Sequence, residues 1–258
     1  MLEKFKAAKA KEIEELKRLE RENGLPEPFT GPRPGFSKAL VSNGPGAVIA
    51  EYKRASPSKG EINAALLPQD VAAQYAKAGA AALSVLTEEV YFKGSLKFLD
   101  AMTGTGLPLL RKDFIFHVLQ IKQTAASPAS ALLLIVRMLE GAEELGEFLR
   151  LTHDLGLEAV TEVFDEADLE MARMAGAKII QVNNRDLDTL SVSLNVSRRI
   201  IQEKREQEIW ISASGVQTGR DIAELASLGF DAVLIGTSLM AGGGPGQALS
   251  KMVQEAKT

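Results

Sequence analysis

Two apolar runs in this chain stop on a lysine: Val48-Ile49-Ala50-Glu51-Tyr52-Lys53 and Pro108-Leu109-Leu110-Arg111-Lys112-Asp113. A buried strand that ends this way delivers an ammonium to the space capping it. Glu51 and Lys53 are two apart, so they share one strand face. The carboxylate can then orient and charge the amine; the plain alternative is a salt bridge that plugs the site. Lys112 can face the same interior. A neighbouring ammonium lowers a lysine's proton affinity, and a neighbouring carboxylate or phosphate raises it. That tension suits a lysine that donates a proton near neutral pH, in acid–base chemistry on an anionic substrate. Glu162 closes a third run, Ala159-Val160-Thr161. It can remove a proton from carbon or nitrogen, or pair with Lys53 or Lys112, and the two readings are compatible.

Bringing such groups together requires elements that end at one rim. Apolar runs suited to strands fall near 47–52, 81–86, 108–112, 130–136, 158–163, 178–183, 208–212 and 231–235. Helix-like stretches fall near 69–78, 95–103, 117–126, 141–154, 166–174, 195–205, 218–228 and 246–256. The runs are continuous rather than alternating, which indicates strands covered on both faces. About eight βα units in ~200–250 residues predict an α/β fold, a (β/α)8 TIM barrel. A doubly wound open sheet shares the alternation and is the structural rival. Ahead of the barrel, residues 2–22 read as a charged amphipathic helix. Leu2, Phe5, Ile13, Leu16 and Leu19 lie near one face, with lysines and glutamates elsewhere. Residues 24–46 are rich in Pro and Gly and read as a connection with a short helix near Phe36 to Leu40. The expected organisation is an N-terminal helical extension, 1–46, packing on a catalytic barrel, 47–258.

Barrel chemistry sits at the C-terminal strand ends, and polar groups concentrate there. The ends read Glu51-Tyr52-Lys53, Thr87-Glu88, Arg111-Lys112-Asp113, Glu162, Asn183-Asn184-Arg185-Asp186, Ser214-Gly215 and Gly236-Thr237-Ser238. The last two are the loops in which barrels often hold phosphate, since glycine lets backbone N–H groups approach an anion. Ser56-Pro57-Ser58-Lys59-Gly60 can close over that site. Phe92 and Phe114 can sandwich an aromatic ring or simply cover the mouth. Gly242-Gly243-Gly244 has no following Lys and reads as a flexible loop, not a nucleotide loop. Trp210 lies within a strand and reads as packing.

Composition narrows the classes. A net charge of −4 gives no bias toward nucleic acid or an anionic membrane. The absence of cysteine excludes disulfides, thiolate chemistry and sulfur-bound zinc. His117 and His153 show no metal-ligand spacing, so no metal is expected. The start is not a basic tip before an apolar core, and no run approaches the ~20 residues of a membrane span. These features fit a cytoplasmic chain acting on a small phosphorylated molecule. The expected assembly is a monomer or weak homodimer. From the residues alone, a sugar-phosphate isomerase, a Schiff-base aldolase and a barrel that only binds phosphate remain open.

The blocks Ile49 to Ser58, Ser84 to Glu88, Phe92 to Leu96, Pro108 to Phe114, Leu133 to Val136, Asn183 to Leu187 and Leu234 to Met240 resemble those of the indole-3-glycerol-phosphate synthase family, in order and over nearly the whole chain. The resemblance implies a cofactor-free lyase of tryptophan biosynthesis that closes and decarboxylates a pyrrole ring. It implies Lys112 as the acid, Lys53 on the substrate carboxylate, and Glu162 as the base. Glu51 and Asn183 would orient amines and hydroxyls. Ser56, Ser214, Gly215, Gly236 and Thr237 would hold the phosphate, and Phe92, Phe114, Arg185 and Leu187 would flank the aromatic end. One departure stands out: the family usually has Glu-Ser-Gly where this chain has Ala213-Ser214-Gly215. The segment Phe116 to Gln120 lacks the acidic residue and Pro common there, and Met240-Ala241-Gly242 lacks a basic residue often seen.

Overall fold

Each predicted apolar run forms a parallel strand in the computed structural model, which describes residues 1–258. The strands are β1 (Ala47–Tyr52), β2 (Ala82–Leu86), β3 (Leu109–Lys112), β4 (Ala131–Ile135), β5 (Glu158–Val163), β6 (Ile179–Asn183), β7 (Ile209–Ala213) and β8 (Ala232–Ile235). They close in the order β1-β8-β7-β6-β5-β4-β3-β2, so no edge is left open. The result is a (β/α)8 barrel, and the open-sheet rival is excluded by β1 pairing with both β2 and β8. Every residue of β1, β2, β4 and β8 is buried, as continuous apolar runs require. Register places Glu51 beside Ser84, Glu162 beside Gln181 and Asn183 beside Ala213.

The helices are α1 (Leu2–Arg21), α2 (Phe36–Asn43), α3 (Pro68–Lys77), α4 (Lys97–Ala101), α5 (Val118–Ala125), α6 (Ala142–Asp154), α7 (Glu166–Met174), α8 (Asn195–Ile200), α9 (Gly219–Ser227), α10 (Thr237–Met240) and α11 (Pro245–Glu255). None is long and apolar enough to cross a membrane. The stretch predicted as one helix over 95–103 ends at Ala101 and continues as a short 3-10 turn, closed by Gly106 at φ 69°. The loop after β1 is a small hairpin, with Ala55–Ser56 antiparallel to Gly60–Glu61. Trp210 is fully buried, edge-on to Phe230 at 6.2 Å, with its indole N–H donating to Glu208 at 2.9 Å, so it is packing as read.

Helix α1 departs from expectation at one residue. Phe5, Ile13 and Leu16 are buried as periodicity predicts, but so is Lys9, at 3% exposure. Its ammonium is 2.9 Å from Asp113 Oδ2 and also pairs with Glu12. A lysine belongs on an apolar face only where a carboxylate waits for it, and here the carboxylate comes from the end of β3.

Candidate active site

The two strand-end lysines meet in one cavity, each beside a carboxylate. Lys53 Nζ lies 3.2 Å from Glu51 Oε1, and Lys112 Nζ lies 3.3 Å from Glu162 Oε2. Both amines keep contact with the cavity while both carboxylates are almost fully buried. The Ser84 hydroxyl donates to Glu51 Oε2 at 3.3 Å, and the Lys53 ammonium stands 5.6 Å from the Phe92 ring centre. Glu51 has no slack on its other side. A Cβ added at Gly236 would sit 2.4 Å from Glu51 Oε1. Gly236→Ala should therefore displace the carboxylate and the amine it holds. Misplacement of that size costs on the order of 10²-fold in turnover, checked by steady-state kinetics alongside a melting curve.

The cavity has two lobes that share Glu51, Lys53, Lys112, Glu162, Asn183 and Arg185. One lobe, of about 380 Å³, is bounded by Ala213, Ser214, Gly215, Gly236 and Thr237. Its loops are stiffened by side chains. Asn184 Nδ2 donates to Ser212 Oγ, Ala213 O and Ser214 O, and the Ser238 hydroxyl donates to Val216 O. Ser214 and Gly215 both have positive φ, 67° and 93°. A Cβ at Gly215 would come within 2.8 Å of Val192, so glycine is required there twice over. Ser56 is buried in the other lobe, accepting the Lys59 N–H, whereas Ser58 and Lys59 of the same hairpin reach the glycine loops.

The second lobe is narrower, about 110 Å³, and is walled by Phe92, Phe114, Leu187 and Leu133. It also contains Met1, together with Leu2 and Phe5, which periodicity placed on the apolar face of the N-terminal helix. Phe5 stacks on Phe114 with ring centres 3.9 Å apart and meets Tyr91 edge-on at 5.3 Å. One face of Phe114 is thus already taken by the chain's own N-terminal helix. Asn183 Oδ1 accepts the Arg185 N–H, and Arg185 Nη1 donates to Leu190 O. Burial lowers the proton affinity of the Arg185 guanidinium, with the Glu51 charge opposing.

Behind Lys112 lies a buried ionic cluster. Asp113 Oδ2 accepts from Thr87 (2.5 Å), Lys9 (2.9 Å) and Arg111 (3.0 Å), while Oδ1 accepts the Phe114 N–H. Burial alone would raise the Asp113 carboxyl, but the Arg111 and Lys9 charges and the Thr87 hydroxyl outweigh it and hold it below the usual range. Arg111 also donates to Gln120 O and Thr124 Oγ1. In the segment Phe116 to Gln120, His117 caps α5: its Nδ1 accepts the Leu119 N–H while Gln120 Oε1 accepts the His117 N–H. Burial and then the Lys17 charge hold that imidazole below its usual range, the direction that favours an accepting Nδ1.

Gln181 is a further polar group that strand reasoning passed over. It is fully buried, and its Nε2 donates to Glu162 Oε2 at 2.5 Å. No three His, Asp or Glu side chains gather in a metal-holding arrangement.

Residues 2–252 match the family described as indole-3-glycerol phosphate synthase. Curated proteins of that name are similar over most of their length. The one from Aquifex aeolicus is 44% identical over 84% of this chain and 85% of its own. The one from Chlorobaculum tepidum is 42% identical over 90% of this chain and 92% of its own. Among solved structures, 3-hexulose-6-phosphate synthase from Salmonella typhimurium aligns with a TM-score of 0.64 at 13% identity, covering 81% of this chain and 97% of that one. At such low identity the likeness is one of fold alone.

Proposed function

The chain belongs to the indole-3-glycerol phosphate synthase family, and from that premise we propose that the lysine–carboxylate cavity closes the indole ring with Lys112 as the acid. The family's reaction converts 1-(2-carboxyphenylamino)-1-deoxyribulose 5-phosphate to indole-3-glycerol phosphate, carbon dioxide and water. It is a carbon–carbon lyase step of tryptophan biosynthesis, and the substrate is phosphorylated.

The observation that carries the assignment of roles is the pairing of both strand-end amines with carboxylates in one cavity that also reaches two glycine loops. As the aromatic carbon attacks the ketone, its oxygen needs a proton, and Lys112 supplies it. Lys53 binds the substrate carboxylate until carbon dioxide leaves and protonates the departing hydroxyl, which leaves as water. Glu162 removes the last proton, restoring aromaticity. Glu51 and Asn183 orient the amine and the substrate hydroxyls. The loops at Ser214, Gly215, Gly236 and Thr237 hold the phosphate, and the hairpin from Ser56 to Gly60 closes over it through Ser58 and Lys59. Phe92, Phe114, Arg185 and Leu187 flank the aromatic end. Each of these roles depends on a group the cavity presents, and none calls for a cofactor.

Ala213 removes a carboxylate from the wall of the larger lobe but leaves the Ser214-Gly215 turn in place. Phosphate binding should therefore survive better than turnover. The direct test mixes purified protein with the substrate and follows the appearance of indole fluorescence. A rise proportional to protein concentration is expected. Substrate binding without any rise would leave a phosphate-binding barrel in place of an enzyme.

A further inference from the structure

We propose that Gln181 is a positioning residue for this reaction, fixing Glu162 so that one carboxylate oxygen is committed to the protein and the other is left for substrate. The inference rests on the reading of the cavity given above.

Gln181 interrupts the apolar strand Ile179-Ile180-Gln181-Val182, two residues before Asn183 and therefore on the same inward face. Register sets it directly beside Glu162. Its amide donates to Glu162 Oε2 at 2.5 Å, and Lys112 approaches the same oxygen at 3.3 Å. No protein group bonds Oε1, and Glu162 borders both lobes of the cavity. Two donors thus converge on one oxygen and leave its twin toward the substrate.

The other half of the Gln181 amide makes the case stronger. Its Oε1 is buried with no hydrogen-bond partner. A buried orphan acceptor is unfavourable, and folded chains keep few of them. Turning the amide over would relieve nothing, because it would set a carbonyl oxygen against a carboxylate. An apolar side chain of similar length would remove the orphan altogether. Retaining glutamine here opposes stability and favours the one thing its donor does, which is to hold Glu162. A neutral donor also leaves Lys112 as the one cation on that carboxylate, so the acid and the base of the reaction stay linked.

The test is Gln181→Met, which keeps the length and removes both the donor and the orphan. Relative to the unaltered chain, kcat should fall about 10–10²-fold, KM should stay within about twofold, and the melting temperature should be unchanged or higher. Gln181→Leu is the second variant and should show the same split. A kcat within twofold of the unaltered chain in either variant overturns the proposal. So does a loss of kcat that comes with a matching rise in KM and a lower melting temperature, since that is a packing defect. The unaltered chain is the control: if it forms no product the reading of the cavity fails, whereas normal turnover in both it and Gln181→Met defeats only the role of Gln181.

Discussion

Lys112→Ala should lose turnover by about 10²–10⁴-fold, the range a positioned proton donor supplies, while affinity for inorganic phosphate stays largely intact. The two effects separate because the glycine loops are held by Asn184 and Ser238, not by Lys112. Glu162 would keep its Gln181 partner, so the cavity should not collapse. Lys112→Arg refines the result. Arginine retains the charge beside Glu162 but does not release a proton at working pH, so it too should be inactive. Full activity in Lys112→Ala would remove this residue as the acid, and activity in Lys112→Arg would reduce its role to charge. Single-turnover fluorescence together with phosphate titration reads both quantities.

Asp113→Ala should be the most damaging change to stability outside the apolar core. The carboxylate is fully buried and serves Lys9, Arg111, Thr87 and the Phe114 backbone at once. Removing it leaves two buried cations to share the partly exposed Glu12, a defect approaching the ~3–5 kcal/mol of a broken buried pair, measurable by urea unfolding. The pH dependence follows from the direction of its shift. The folded chain holds Asp113 below its usual range, so its stabilising share is fully present above the unfolded carboxyl's value of about 4 and is lost as pH falls through the lower folded value. Unfolding free energy of the unaltered chain should therefore decline in that acid window. The Asp113→Ala curve should start lower and decline less there; parallel curves would mean that the cluster contributes nothing pH-dependent. Turnover should suffer as well, because Lys112 and Phe114 flank the lost group.

The barrel and its lysines were legible because both are local signals. An apolar run that stops on a charge is visible in six residues, and strand parity then puts Glu51 with Lys53. Ring closure of the sheet followed from the number of such runs. What stayed hidden depends on distant partners. Lys9 looks like a solvent-facing lysine until Asp113, 104 residues away, is folded against it. Phe5 has the spacing of a core residue, and nothing in its neighbourhood says that its ring ends beside Phe114. Gln181 left a readable trace, a lone amide inside a run of aliphatic residues with the parity of Asn183. Its meaning, however, required knowing that Glu162 is its neighbour across the sheet. Ser56 illustrates the opposite case: its motif was plain, yet Ser56 lines only the narrower lobe, while Ser58 borders both lobes and Lys59 the larger one.

The packing of Phe5 on Phe114 also bears on how the protein is handled. Met1 and Leu2 form part of the cavity wall, so anything fused ahead of them emerges at the edge of the opening proposed for substrate. A purification handle placed there would compete for that opening or pull the first turn of α1 away from it. Thr258 borders neither lobe, which makes the carboxyl end the better attachment point for tags, dyes or immobilisation.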